Sequence, residues 1–107
     1  MDVNFEAIES AVKDYVVEVK RAMPIDKVYL FGSYAKGNPR EDSDVDICFF
    51  SSNFGRPPSE DVFLTLLSLT RGYARNNVYI EPHAFPVSEL SNDNPFVKEI
   101  LRTGREI

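Results

Sequence analysis

The stretch YLFGSYAKGNPREDSDVDICFF, residues Tyr29 to Phe50, decides the fold. An apolar run ends at Gly32-Ser33, ten mostly polar residues follow, and Asp44-Val45-Asp46 opens a second apolar run. Side chains alternate along a strand, so Asp44 and Asp46 leave the same face. A rise of about 3.3 Å per residue sets their Cα atoms about 7 Å apart. Charge at the mouth of a core is costly unless it is paired or holds a metal. Carboxylates at that separation can converge on one hard cation, or share two ions about 3.5–4 Å apart.

Outward from this stretch, the chain has 107 residues, 43% of them hydrophobic and 27% charged, which predicts a single domain over residues 1–107 with one modest core. It shows neither an apolar stretch of about 18 residues nor a basic-then-apolar leader, so neither a membrane span nor secretion is expected. One cysteine, Cys48, sits inside an apolar run and reads as a buried thiol in a reducing, cytoplasmic setting. A net charge of −5 argues against an extended nucleic-acid-binding face. It leaves a nucleotide open, because a bound metal reverses the local sign.

Residues Asn4 to about Met23 place Phe5, Ile8, Val12, Tyr15, Val16 and Val19 at helical spacing, and Pro24 ends that helix. Lys27 to Phe31 and Val45 to Ser51 read as buried strands, and Asn53 to Pro58 as a loop. Ser59 caps a helix carrying Phe63, Leu66 and Leu67 that should end near Gly72 to Arg75. A third strand is expected from Val78 to Phe85, and Asn94-Pro95 opens a last helix stopped at Gly104, with Arg105 to Ile107 trailing out. The order predicts a small α+β domain with helices on a short sheet.

Glu81 is an acid in the third, apolar strand and shares a face with Tyr79 and His83. It is the candidate to join Asp44 and Asp46 in a three-carboxylate cluster. Gly32 lets backbone approach a ligand, and Ser33 with the following N–H groups can donate to phosphate oxygens. An antiparallel return of the second strand would bring Ser33 beside Asp44 and merge the two cradles. Lys36 and Arg40 could add positive charge, although Arg40 reads better as an exposed turn residue. His83, the one histidine, reads as a rim or structural residue. An EF-hand fails because Ile47 and Asn53 stand where glycine and glutamate are needed. A P-loop fails because no Gly-Lys-Ser/Thr follows.

Gly32-Ser33, ten residues, then Asp44-x-Asp46, with Ala35-Lys36-Gly37 inside and Ser43 before the first aspartate, resembles the signature of the minimal nucleotidyltransferases. These are small members of the DNA-polymerase-β-like superfamily, and the resemblance runs over most of the chain. It implies a mixed sheet of order 1-2-3 and a Mg²⁺-dependent transfer of a nucleoside monophosphate, AMP first, from ATP or another nucleoside triphosphate to a hydroxyl. Asp44, Asp46 and Glu81 would be the catalytic and metal residues for two Mg²⁺ ions. Gly32, Ser33, Lys36 and Ser43 would contact the nucleotide. The sequence departs from the family in its third acid, Glu81 where aspartate is also common, followed by Pro82. It also shows no appended acceptor-binding domain, so a protein partner is expected to present the hydroxyl. Family members encoded beside an α-helical HEPN protein act as the antitoxin of a toxin–antitoxin pair. The alternative classes are a partner-binding module and a nucleotide sensor without turnover; an intact carboxylate set separates these from the enzyme. Whether the chain forms a homo-oligomer is left open by the sequence.

Overall fold

The computed structural model describes residues 5–37, 44–91 and 93–107. Ser43 and Arg40 lie outside the described residues. Helix α1 (Phe5–Ala22) leads into strand β1 (Lys27–Phe31), a short helix α2 (Ser33–Lys36) and strand β2 (Val45–Ser51). Helices α3 (Glu60–Ser68) and α4 (Arg71–Ala74) precede strand β3 (Ile80–Pro86). A 3₁₀ turn (Val87–Leu90), helix α5 (Pro95–Thr103) and strand β4 (Arg105–Glu106) complete the order.

The described strands pair as β3-β2-β1-β4. Strand β2 returns antiparallel to β1, with Phe31 opposite Asp46 and Lys27 opposite Phe50. Strand β3 runs parallel to β2, which sets Asp46 beside Glu81 and Cys48 beside His83. The mixed sheet of order 1-2-3 is therefore present, with β4 added outside β1.

Helices cover both faces. On one, Val12, Tyr15, Val16 and Val19 of α1 and Leu66 of α3 pack on Val28, Leu30, Ile47 and Phe49. Each apolar side chain fully buried in this way contributes about 1.5–3 kcal/mol. The Tyr15 hydroxyl donates to the Leu66 carbonyl at 2.8 Å, so this polar atom within the layer is satisfied and ties α1 to α3. On the other face, Val97 and Ile100 of α5 pack on Cys48 and Phe50. Burial pushes the Cys48 thiol up to about 12, as befits a core thiol rather than a reactive one.

Several boundaries differ from the sequence expectation. The helix from Ser59 stops at Ser68 and restarts at Arg71. The Ser68 hydroxyl donates to the Thr65 carbonyl and the Thr70 hydroxyl to that of Leu67, and such back-bonding competes with the helix ladder. The third strand opens at Ile80 rather than Val78, although the Val45 N–H already donates to the Tyr79 carbonyl at 2.7 Å. The expectation that Arg105 to Ile107 trail out is corrected: Leu30 pairs with Arg105 and Tyr29 with Glu106, and the Ile107 N–H donates to the Val28 carbonyl. Gly104 is extended (φ −81°, ψ 171°) rather than left-handed. A Cβ there would stand 2.5 Å from the Ile100 oxygen and 3.0 Å from that of Leu30, so glycine is needed for close passage. Among the described residues, no helix is long and apolar enough to cross a membrane.

Candidate active site

The site forms where β1 ends and β2 and β3 begin. Gly32 stops β1 with φ 77° and ψ −154°, a region essentially confined to glycine. A Cβ at Gly32 would fall 2.3 Å from Asp46 Oδ2, so bare backbone is packed against that carboxylate. Helix α2 starts at once with Ser33, which is half-buried, and ends in exposed Lys36 and the left-handed Gly37. The antiparallel return that the sequence reading required is present.

Asp46, Glu81 and His83 each offer a ligand atom within 4.8 Å of the others. The parallel β2–β3 register makes Asp46 and Glu81 lateral neighbours, and His83 lies one strand repeat further along the same face. His83 Nε2 stands 3.5 Å from Asp46 Oδ1 and 3.9 Å from Glu81 Oε1. That nitrogen is buried and makes no hydrogen bond among the described residues. The imidazole is held edge-on by Phe31, with ring centroids 5.1 Å apart, and lies 5.7 Å from Phe96 of α5. Burial, and next the Asp46 charge, hold the Glu81 carboxyl above its ordinary range; His83 opposes this, while a hydrogen bond to Asp46 and the charge of Asp44 add to it. The Glu81 side chain nevertheless keeps 54% of its surface exposed, so it stays within reach of a ligand.

Asp44 is exposed and outside that compact cluster. Its charge still reaches Glu81 and Tyr34: burial first, then Asp44, raises the Tyr34 phenol. Of the residues singled out in the sequence, Asp46, Glu81 and Gly32 are thus brought together directly, with Asp44 and Ser33 at the rim.

A groove of about 470 Å³ continues from His83 along β3, lined by Arg56, Phe63, Pro82, Phe85 and Glu89 among others. Buried Glu89 accepts from Arg56 at 2.8 Å and from Asn94 Nδ2 at 3.0 Å. Asn94 also caps α5, its Oδ1 accepting from the Phe96 and Val97 N–H groups, and so sets Phe96 beside His83. The sequence reading placed His83 at a rim and did not single out Phe31, Phe96 or Glu89. The sequence signal for His83 was its place two residues after Glu81 on one strand face; the aromatic clamp depends on long-range packing.

The sheet order and the Gly-Ser and Asp-x-Asp elements define a polymerase-β-type nucleotidyltransferase domain. A sequence model of that family, polymerase beta nucleotidyltransferase, matches residues 13–107, and the chain belongs to it. The resemblance to the minimal nucleotidyltransferases is thereby borne out. No curated protein matches the chain significantly.

Among solved structures, a toxin–antitoxin complex MntA–HpeT, in a mutant form, matches with a TM-score of 0.62 at 14% identity, covering 88% of this chain and 70% of that one. A toxin–antitoxin structure with AMP-PNP matches at 0.61 and 16% identity, with the same coverage. A protein from Sulfolobus solfataricus assigned as a nucleotidyltransferase matches at 0.55 and 25% identity, covering 85% of this chain and 83% of that one. The first two likenesses are of fold.

Such domains act on nucleoside triphosphates with a divalent cation, and the residues here fit one. Ligand atoms of two carboxylates and of an imidazole nitrogen that makes no hydrogen bond lie within 4.8 Å of one another.

Proposed function

We propose that the chain is a Mg²⁺-dependent nucleotidyltransferase that moves a nucleoside monophosphate, AMP first, from a triphosphate to a hydroxyl on a partner protein. The observation that carries this reading is the lateral pairing of Asp46 with Glu81 beneath the bare backbone of Gly32. Asp44, Asp46 and Glu81 hold the cation. Gly32 and Ser33 seat the β- and γ-phosphates, with Lys36 and Ser43 lending further nucleotide contacts. A divalent cation bound there supplies charge neutralisation and acidifies the acceptor hydroxyl.

The acceptor oxygen forms a bond to the α-phosphorus as the bond to the bridging oxygen breaks. Pyrophosphate leaves, and the hydroxyl proton passes to Glu81. Most of the rate comes from placement of the reacting groups and from charge stabilisation.

An antitoxin role toward a HEPN-type toxin is supported by the family resemblance and by the likeness to toxin–antitoxin structures, one of them with a non-hydrolysable ATP analogue. The test is incubation with labelled ATP, Mg²⁺ and the protein encoded by the neighbouring gene. Label on a Tyr, Ser or Thr of that protein, lost in Asp46→Asn, is the expected result. A partner that co-purifies with the chain yet stays unlabelled would make the chain a binding antitoxin, and efficient transfer to a small alcohol would refute the protein acceptor.

A further inference from the structure

We propose that His83 is a direct metal ligand beside Asp46 and Glu81, and that it tunes the site toward first-row transition cations, Mn²⁺ among them, over Mg²⁺. This rests on the carboxylate metal site proposed above and adds a nitrogen donor to it.

Geometry is the first support. Ligands about 2.1 Å from a common ion stand about 3.0 Å apart when adjacent in an octahedron and about 3.4 Å apart in a tetrahedron. His83 Nε2 is 3.5 Å from Asp46 Oδ1 and 3.9 Å from Glu81 Oε1, so small side-chain rotations suffice. Second, Nε2 is a buried polar atom that makes no hydrogen bond, although the Asp46 and Glu81 carboxylates stand at 3.5 and 3.9 Å, and such atoms ask for an explanation. A cation held between it and the two carboxylates supplies one.

Third, the ring is preset. Phe31 of β1 meets it edge-on, Phe96 of α5 stands 5.7 Å away, and these two rings pack on each other at 5.7 Å. An imidazole fixed by packing gives up little freedom on binding, as a metal ligand should. Mg²⁺ demands oxygen donors and keeps its waters, whereas imidazole suits the later divalent ions, and affinity for mixed N/O sites rises along the transition series from Mn²⁺. Two carboxylates and one imidazole therefore bind Mn²⁺, the weakest binder of that series, more tightly than Mg²⁺.

The experiment is pulsed electron paramagnetic resonance on the full chain titrated with Mn²⁺, alongside Mg²⁺ competition. Stoichiometric Mn²⁺ should show coupling to an imidazole ¹⁴N in the wild type. In His83→Gln that coupling should vanish, and Mn²⁺ affinity should fall by about 10–100-fold while Mg²⁺ affinity falls less. Mn²⁺ bound to the wild type without nitrogen coupling overturns the inference and leaves the carboxylate site standing, whether or not the variant folds. Failure of the wild type to bind Mn²⁺, or undiminished binding in Asp46→Asn, overturns the carboxylate site and this inference together.

Discussion

Gly32 and Asp46 are in contact so close that a side chain on the glycine would have to displace the carboxylate: a Cβ would lie 2.3 Å from Asp46 Oδ2. The glycine also holds φ 77°, so two independent constraints meet at one residue. Gly32→Ala should cost at least the roughly 1–3 kcal/mol of a side chain forced into that backbone region. It should also weaken binding of ATP with Mg²⁺, because Asp46 is pushed off its position. Denaturant unfolding and calorimetry on one preparation check this; wild-type stability with wild-type affinity would show that the contact is dispensable.

Triphosphate binding should require a divalent cation. Asp44, Asp46 and Glu81 sit at one end of the sheet, and bare carboxylates repel a polyphosphate. Calorimetry with ATP in EDTA should give no measurable binding, and excess Mg²⁺ or Mn²⁺ should restore it. Equal affinity under both conditions would exclude the proposed site.

Glu81 makes the metal-free protein sensitive to pH. Its carboxyl is raised above the ordinary 4.5 by burial and then by Asp46. A group whose folded value is raised binds its proton more tightly in the native state. Its stabilising contribution is therefore full below the unfolded value and is lost as the pH rises through the folded one. In EDTA, Glu81→Gln should remove that part of the pH dependence and melt higher than the wild type at pH 7. With saturating Mg²⁺ the order should reverse, because the variant loses a ligand. A lower melting temperature for Glu81→Gln in EDTA would contradict the repulsion.

Gly104 joins α5 to the edge of the sheet. A Cβ there would stand 2.5 Å from the Ile100 oxygen and 3.0 Å from the Leu30 oxygen, both backbone atoms with little room to yield. Gly104→Ala should thus release the pairing of Leu30 with Arg105 and loosen α5, which carries Phe96 against His83. Hydrogen exchange should show lost protection at Ile107, whose N–H donates to Val28, with the amides of β2 unaffected. Unchanged exchange at Ile107 would mean that the chain bypasses the clash.

Local chemistry already speaks in the residues that begin and end the elements. Ser59 accepts from the Val62 N–H, Asn94 from those of Phe96 and Val97, and Pro24 follows α1, each as capping and breaking rules require. The helical spacing of Val12, Tyr15, Val16 and Val19 named the buried stripe, because period alone decides which face of a helix meets a core. Strand alternation put Asp44 with Asp46 on one face of their strand and Glu81 with His83 on one face of theirs, and the long, fixed spacing from Gly32-Ser33 to Asp44-x-Asp46 pointed to the family. Those are local properties, and they survive without knowledge of what each element packs against.

Which strand lies next to which is a property of the whole chain. The parallel register of β2 with β3 sets Asp46 against Glu81, and no pattern within either strand encodes that offset. The same pairing, together with Phe31 from β1 and Phe96 from α5, turned His83 from a rim residue into a member of the cluster and drew Asp46 into it ahead of Asp44. Arg105 and Glu106 became a strand only because β1 offered a free edge, since two residues carry no periodicity of their own. Capping, alternation and spacing act within a few residues and are written in order along the chain. The distances that bring Asp46 to Glu81 and His83 join residues more than thirty positions apart, and packing the core sets them.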